Sequence, residues 1–217
     1  MIINHKYKFI YFKTKKTAST TIEIALSEVC NQETDYMTKF RDIDEKLRWK
    51  LVRKHGKPAL HGMTNHINAA HVKNVLPEKT WNTYTKITSV RNTYDMIISK
   101  YYWERDQHRN FDHWYSDFRK SAHCNWDIYS IDDVPAMDYY IRYENVVQDC
   151  HRLSKLLSLP VDLSNRISKL KTKDGFRKRR WPAINKSSLE KIAIDAKKEI
   201  DFFDYKIPHV YMENDNG

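Results

Sequence analysis

The sequence has few glycines, no cysteine framework and no long apolar run. Only 4 of its 217 residues are glycine, and the glycine-rich phosphate loop GxxxxGKS/T is absent. The 3 cysteines, Cys30, Cys124 and Cys150, fit neither a disulfide framework nor a zinc motif, which favours free thiols. No apolar stretch approaches the ~20 residues that a membrane-spanning helix needs, and no metal-ligand cluster is visible.

What is present is typical of a globular protein. Hydrophobic residues make up 41% of the chain, with 14 Tyr, 8 Phe and 6 Trp. A chain of 217 residues can bury a sizeable core, so we predict one domain over residues 1–217. Because the first predicted strand begins at Phe9, no room is left for a signal peptide, and a soluble, cytoplasmic protein is expected.

The charge balance points to an anionic partner. With 38 basic and 28 acidic residues, the formal net charge is +10. Nucleic acid, a nucleotide cofactor and a sulfated or acidic substrate would all suit this charge, and charge alone does not choose between them.

The order of predicted elements indicates an α/β fold. Strands are predicted at residues 9–12, 85–90 and 137–143, and helices lie between and after them. The last helix is predicted over residues 187–203, opening with Ser187 and Glu190 as a capping box. We therefore predict a central, mostly parallel sheet flanked by helices.

The stretch from Lys8 to Leu26 predicts an anion site near the N-terminus. A buried strand, 9–12, is followed by a loop of small hydroxyl residues and lysines, and then by a helix from Thr20. A helix start presents unsatisfied N–H groups and the positive end of the helix dipole, which together favour a phosphate group. The alternative is a helix cap that is simply rich in threonine.

The motif within this stretch resembles the 5′-phosphosulfate loop of sulfotransferases. Lys16-Thr17-Ala18-Ser19-Thr20-Thr21 follows the K-T-A-G/S-T-S/T form of the heparan sulfate 2-O-sulfotransferases and their bacterial and viral relatives. The resemblance implies a fold related to P-loop nucleotide kinases and the cofactor 3′-phosphoadenosine 5′-phosphosulfate (PAPS). It also implies that the backbone of residues 17–21 holds the 5′-phosphate, with hydroxyls from Thr20 and Thr21. Lys16 would reach the bridging oxygen of the leaving group.

A second stretch, residues 88–101, resembles the family's 3′-phosphate element, V-R-N-P-x-x-R-x-x-S-x-Y. Arg91 leaves a strand end and Ser99 lies two turns into the next helix, so both are expected to bind one phosphate. The sequence departs twice, because Thr93 replaces the proline and Met96 replaces the second arginine. The alternative is a surface arginine before an ordinary amphipathic helix.

A third stretch, residues 65–73, resembles the relatives' K-H-x-S-A segment. The resemblance makes His66 the general base, and a neutral imidazole suits removal of a hydroxyl proton near pH 7. His61 and His71 remain alternatives. In the basic loop 169–180, Lys173 and Arg177 are expected over the cofactor's 3′-phosphate and adenine, or else in a solvated basic loop.

Two further likenesses lie in the second half of the chain. Residues 141–145 with Asp149 resemble the family's strand-to-helix turn, where Glu144 is expected to hold a base or a loop. Residues 199–205 resemble the terminal E-I-x-x-F-G-Y of bacterial members. With these, the resemblance runs over residues 9–208.

The resemblance as a whole implies a PAPS-dependent sulfotransferase that needs no metal. The acceptor is a hydroxyl compound, by family preference a saccharide, with a peptide tyrosine or a small alcohol as alternatives. A kinase of related fold is disfavoured by the missing glycines and by the lack of a magnesium-holding acidic pair. A nucleic-acid-binding protein using residues 169–180 and 111–118 is disfavoured because basic and aromatic residues are not interleaved there.

Overall fold

The chain divides into two compact units. A computed structural model describes residues 1–31, 33–37, 66–104, 110–117, 124–169 and 184–211. The first unit comprises Met1–Val90 and Asp127–Thr172, and the second comprises Arg91–Trp126 and Lys173–Gly217. The expectation of a single domain stays a prediction beside this division.

The first unit is built on a five-stranded sheet with the strand order β3-β1-β2-β4-β7. The pairs β2–β4 and β4–β7 are parallel, with Phe12 opposite Thr88 and Val90 opposite Arg142. These three strands therefore end at the same edge of the sheet, the edge where open α/β sheets place their ligands. The strands are β1 (Ile2–Asn4), β2 (Phe9–Phe12), β3 (Tyr36–Met37), β4 (Thr85–Val90), β5 (Ser130–Ile131), β6 (Val134–Pro135) and β7 (Tyr139–Arg142).

The prediction of an α/β fold is confirmed, but the sheet is mixed and not mostly parallel. Strands β1 and β3 were missed, and both pairs that they form, β1–β2 and β1–β3, are antiparallel. A tight turn joins β1 to β2: Asn4 Oδ1 accepts a hydrogen bond from the Tyr7 backbone N–H at 2.7 Å, and Lys8 has a φ of 52°. Strands of 3 and 2 residues are too short for a period-two pattern to reveal them.

Helices cover one face of this sheet. Tyr11, Ile87 and Ile141 alternate with residues of the other face and form a core with Ile22 and Leu153. The helices are α1 (Ser19–Ser27), α2 (Ala69–Val75), α3 (Glu78–Thr83), α4 (Thr93–Glu104), α5 (Phe111–Asp117), α6 (Trp126–Tyr129), α7 (Val146–Leu156), α8 (Leu163–Lys169), α9 (Lys186–Asp195) and α10 (Lys197–Phe203), with 3₁₀ turns at Tyr143–Asn145 and His209–Tyr211. The members of this core from the helices belong to α1, α7 and α8.

The second unit is helical, and its core surrounds the fully buried Trp114. The single C-terminal helix predicted over 187–203 is two helices, α9 and α10, because Ala196 leaves the helical conformation at a φ of −112°. The predicted capping box is wrong: Asn185 is the N-cap, and its side chain accepts from the Ser188 N–H at 2.7 Å. Asp204 ends α10 at a φ of 54°, where the resembling motif has glycine.

Asp149 holds the turn between β7 and α7. Its carboxylate accepts from the backbone N–H of Arg142 at 2.8 Å and from Arg152 at 3.2 Å. The side chain of Asp149 is buried, whereas Glu144 is exposed. Asp149 therefore has a structural role at this turn, and the role expected of Glu144 stays a prediction.

Candidate functional site

The loop between β2 and α1 has the backbone shape of an anion site without any glycine. The φ angle is positive at Lys16 (61°) and at Ala18 (59°) but not at the intervening Thr17. Left-handed residues are a feature of the arrangement called a nest, in which successive backbone N–H groups line one concavity. Ala18 is the N-cap of α1 and provides no side-chain hydrogen bond to it. The threonine-rich cap considered above is therefore not what begins this helix.

A buried group of hydroxyls, which we call the Ser89 cluster, ties this loop to the sheet. It comprises Tyr11, Thr14, Thr17 and Ser89. Ser89 Oγ lies 3.0 Å from Tyr11 Oη, 3.1 Å from Thr14 Oγ1 and 2.8 Å from Thr17 Oγ1. All four residues are fully buried. The Thr17 hydroxyl is therefore hydrogen-bonded inside the protein, and only the backbone of Thr17 can bind a ligand.

The other three hydroxyl residues of the motif, Ser19, Thr20 and Thr21, differ in their surroundings. Ser19 Oγ donates to the Thr14 carbonyl at 2.6 Å, so this hydroxyl also closes the loop on itself. Thr21 is buried, whereas Thr20 is half-buried and its hydroxyl makes no hydrogen bond to another residue in the described part of the chain. Thr20 is thus the motif hydroxyl best placed to meet a ligand.

The lysines of the loop have different surroundings. Lys13 is buried and forms an ion pair with Glu23, whose second oxygen accepts from the Met1 ammonium at 2.9 Å. Burying such a pair costs several kcal/mol of desolvation per ion, and the attraction between the two ions offsets this cost. The ion pair therefore keeps the Lys13 ammonium in the interior. Lys15 and Lys16 are half-buried.

His66 lies against the first residue of the loop. Its Nδ1 is 2.9 Å from the Lys13 carbonyl oxygen, across 53 residues of sequence. Because a carbonyl oxygen can only accept, Nδ1 carries the hydrogen, and Nε2 of the neutral ring holds the free lone pair. Partial burial and the positive charges of Lys15 and Lys13 lower the pKa of His66 below 6.5. The ring is therefore neutral and basic at Nε2 near pH 7.

The two other histidines are less well placed or lie outside the description. The His71 side chain is exposed on α2 and makes no hydrogen bond to another described residue, although its backbone N–H donates to the N-cap Asn68 at 2.8 Å. His61 lies outside the described residues. So do Lys173 and Arg177, which stay predicted cofactor contacts.

The proposed 3′-phosphate residues are Arg91, which precedes α4, and Ser99 within α4, and an acidic residue, Asp95, lies between them in the sequence. Arg91 directly follows β4 in the sequence, and its Nη2 donates to Asp95 Oδ2 at 3.3 Å. Ser99 is half-buried one turn beyond Asp95, and residues spaced by four lie on the same helix face. Met96, which replaces the family's second arginine, is buried in the core of the second unit. Thr93, which replaces the proline, donates to Glu199 at 3.2 Å.

Sequence reasoning missed the Ser89 cluster and Asp95. Ser89 carried a weak signal, because it lies two residues before Arg91 at a predicted strand end. Asp95 carried a clearer one, because an Asp four residues after an Arg at a helix start is a common ion pair. Neither Ser89 nor Asp95 lies in the motif of residues 16–21 that identifies the loop between β2 and α1.

Among the residues that the structure describes, no group of three or more His, Cys, Asp or Glu side chains lies close enough to hold a metal ion. Among the same residues, no helix is long and apolar enough to cross a membrane.

Comparison with known proteins adds no family. No protein-family model, no curated protein and no solved structure matches this chain. The resemblance to sulfotransferases therefore depends on the sequence motifs alone.

The left-handed residues in the loop make a testable contribution to stability. We expect Ala18→Gly to raise the free energy of unfolding by about 0.5–1 kcal/mol, because glycine has no Cβ to clash at this φ. The matched control is Ala25→Gly within α1. It should lower the free energy of unfolding by at least about 1 kcal/mol, because glycine is unfavourable inside a helix. Urea denaturation measures both, and a loss of stability in Ala18→Gly would contradict the described loop.

The state of His66 can be measured without any substrate. We expect ¹⁵N NMR of the ring to show the Nδ1–H tautomer and a pKa below 6.5, because the Lys13 carbonyl fixes the proton and the nearby lysines disfavour a second one. An Nε2–H tautomer, or a pKa above 6.5, would contradict the site.

Proposed function

We propose that this protein is a PAPS-dependent sulfotransferase with an α/β fold related to nucleotide kinases, and that its acceptor is a hydroxyl compound, by preference a saccharide. The observation that carries the proposal is the hydrogen bond from His66 Nδ1 to the Lys13 carbonyl. It joins a base candidate to an anion loop 53 residues away, as expected if a hydroxyl is deprotonated beside a bound phosphosulfate.

The residues present fit the cofactor at the 5′ side. The nest at Lys16 and Ala18 and the first turn of α1 direct backbone N–H groups to one place, which suits a phosphate. Thr20 adds a hydroxyl donor. When bound there, PAPS supplies an activated sulfuryl group. Arg91 and Ser99 would hold the 3′-phosphate, with Lys173 and Arg177 as further contacts.

Each catalytic residue has one task in this proposal. His66 accepts the acceptor's hydroxyl proton at Nε2, which its hydrogen bond to Lys13 leaves unprotonated. Lys16 would use its ammonium to stabilise the negative charge that develops on the leaving phosphate oxygen, and stabilisation of such charge is usually the largest catalytic term. Both residues belong to or touch the same loop, so a ligand on the loop lies within reach of both.

The alternatives have less support. A kinase of related fold would hold its phosphates with Walker glycines, and here alanine and lysine take the left-handed positions. For a nucleic-acid-binding protein, the basic residues 170–180 lie outside the described residues. A peptide tyrosine or a small alcohol as acceptor would use the same base and the same loop.

The proposal is tested by measuring the transfer of labelled sulfate from PAPS to three acceptors: a heparan-type saccharide, a tyrosine peptide and a small alcohol. We expect Lys16→Ala to lower turnover ~10²–10³-fold and His66→Ala ~10²–10⁴-fold, because the first loses charge stabilisation and the second the base. Matched controls are the exposed Lys6→Ala and His71→Ala, which should retain turnover.

Two results would contradict the proposal. Absence of transfer to every acceptor would oppose sulfotransferase activity as a whole. Near-normal turnover in Lys16→Ala or His66→Ala, with the folded state verified by circular dichroism, would remove that residue from its role.

A further inference from the structure

Asp95 is hydrogen-bonded to Arg91, so its negative charge would lie close to any anion that binds the same guanidinium. Its Oδ2 accepts from Arg91 Nη2 at 3.3 Å, and its Oδ1 accepts from Tyr211 Oη at 3.0 Å. The side chain of Arg91 is 5% exposed and that of Asp95 is 20% exposed. The carboxylate is thus fixed from two sides beside a largely buried guanidinium.

A phosphate and this carboxylate would share one cation. A guanidinium has five N–H donors, so it can bind both groups at once. The two anions would then lie within a few ångströms of each other, where their repulsion is weakly screened because Arg91 is buried. The resembling motif has a second arginine in this element, and here that position is the buried Met96, which brings no positive charge.

We propose that Asp95 is an internal competitor for the anion on Arg91 and sets the affinity of the 3′-phosphate element. This inference rests on the proposed function, since it names the residue that weakens one half of the same cofactor site. Asp95 acts through Arg91 and is a positioning residue, not a catalytic one. Its effect is expected only for ligands that carry a 3′-phosphate.

Isothermal calorimetry on the full chain tests this with Asp95→Asn. Asparagine has nearly the same shape: its oxygen can accept from Arg91, and its NH2 group can donate to the Tyr211 hydroxyl, so the charge is removed while both contacts can be kept. We expect 3′-phosphoadenosine 5′-phosphate to bind about tenfold more tightly than to the wild type, and adenosine 5′-phosphate, which lacks the 3′-phosphate, to bind unchanged. The control Asp201→Asn removes the same charge from the exposed Lys197 pair on α10 and should change neither affinity.

The outcomes separate the two proposals. If the wild type binds 3′-phosphoadenosine 5′-phosphate and Asp95→Asn binds it equally or more weakly, the role of Asp95 is wrong and the proposed function stands. Weaker binding would mean that the carboxylate accepts a hydrogen bond from the ligand. Equal tightening for both nucleotides, or the same tightening in Asp201→Asn, would show a general charge effect and overturn the inference. If neither protein binds the ligand, both proposals fail.

Discussion

The buried hydroxyl of Ser89 is the contact on which the candidate site depends. It lies on the same sheet face as Tyr11, because both side chains point to the side of β2 and β4 that carries Ile87. From there it reaches Thr14 and Thr17 in the loop. A left-handed conformation costs a residue with a Cβ roughly 1–2 kcal/mol, and the loop has two such residues, Lys16 and Ala18. Buried, mutually satisfied hydrogen bonds offset that cost and fix the N–H groups.

Lys13 connects this loop to its surroundings through two different groups. Its ammonium pairs with Glu23 in the interior, and its carbonyl accepts the Nδ1–H of His66. The side chain therefore fixes the backbone that orients the base. The same arrangement keeps His66 neutral, because partial burial and the nearby lysine charges disfavour the imidazolium. A structural cation and a candidate base are thus coupled through one residue.

The sequence was informative where a pattern was long or local. The run Phe9–Phe12 predicted a buried strand, which is confirmed. The anion site at the end of this strand stays a prediction. Strand β1 could not be predicted, because three residues carry no period and its pairing depends on a turn closed by Asn4. The Ser89 cluster was equally hidden, since its members are separated by up to 78 residues and meet only through strand register. The N-cap of α9 is Asn185 and not the predicted Ser187, because both residues have a side-chain oxygen that can accept from the first turn of a helix.

The claim that the loop binds a nucleotide with phosphates at both the 3′ and 5′ positions is tested most directly by thermal unfolding with three ligands. A ligand that binds only the folded state stabilises it by about 2.7 kcal/mol at 100 times its Kd. We expect a rise in Tm with 3′-phosphoadenosine 5′-phosphate and none with ATP and magnesium or with an oligonucleotide. A rise with ATP and magnesium alone, or with the oligonucleotide alone, would contradict the account.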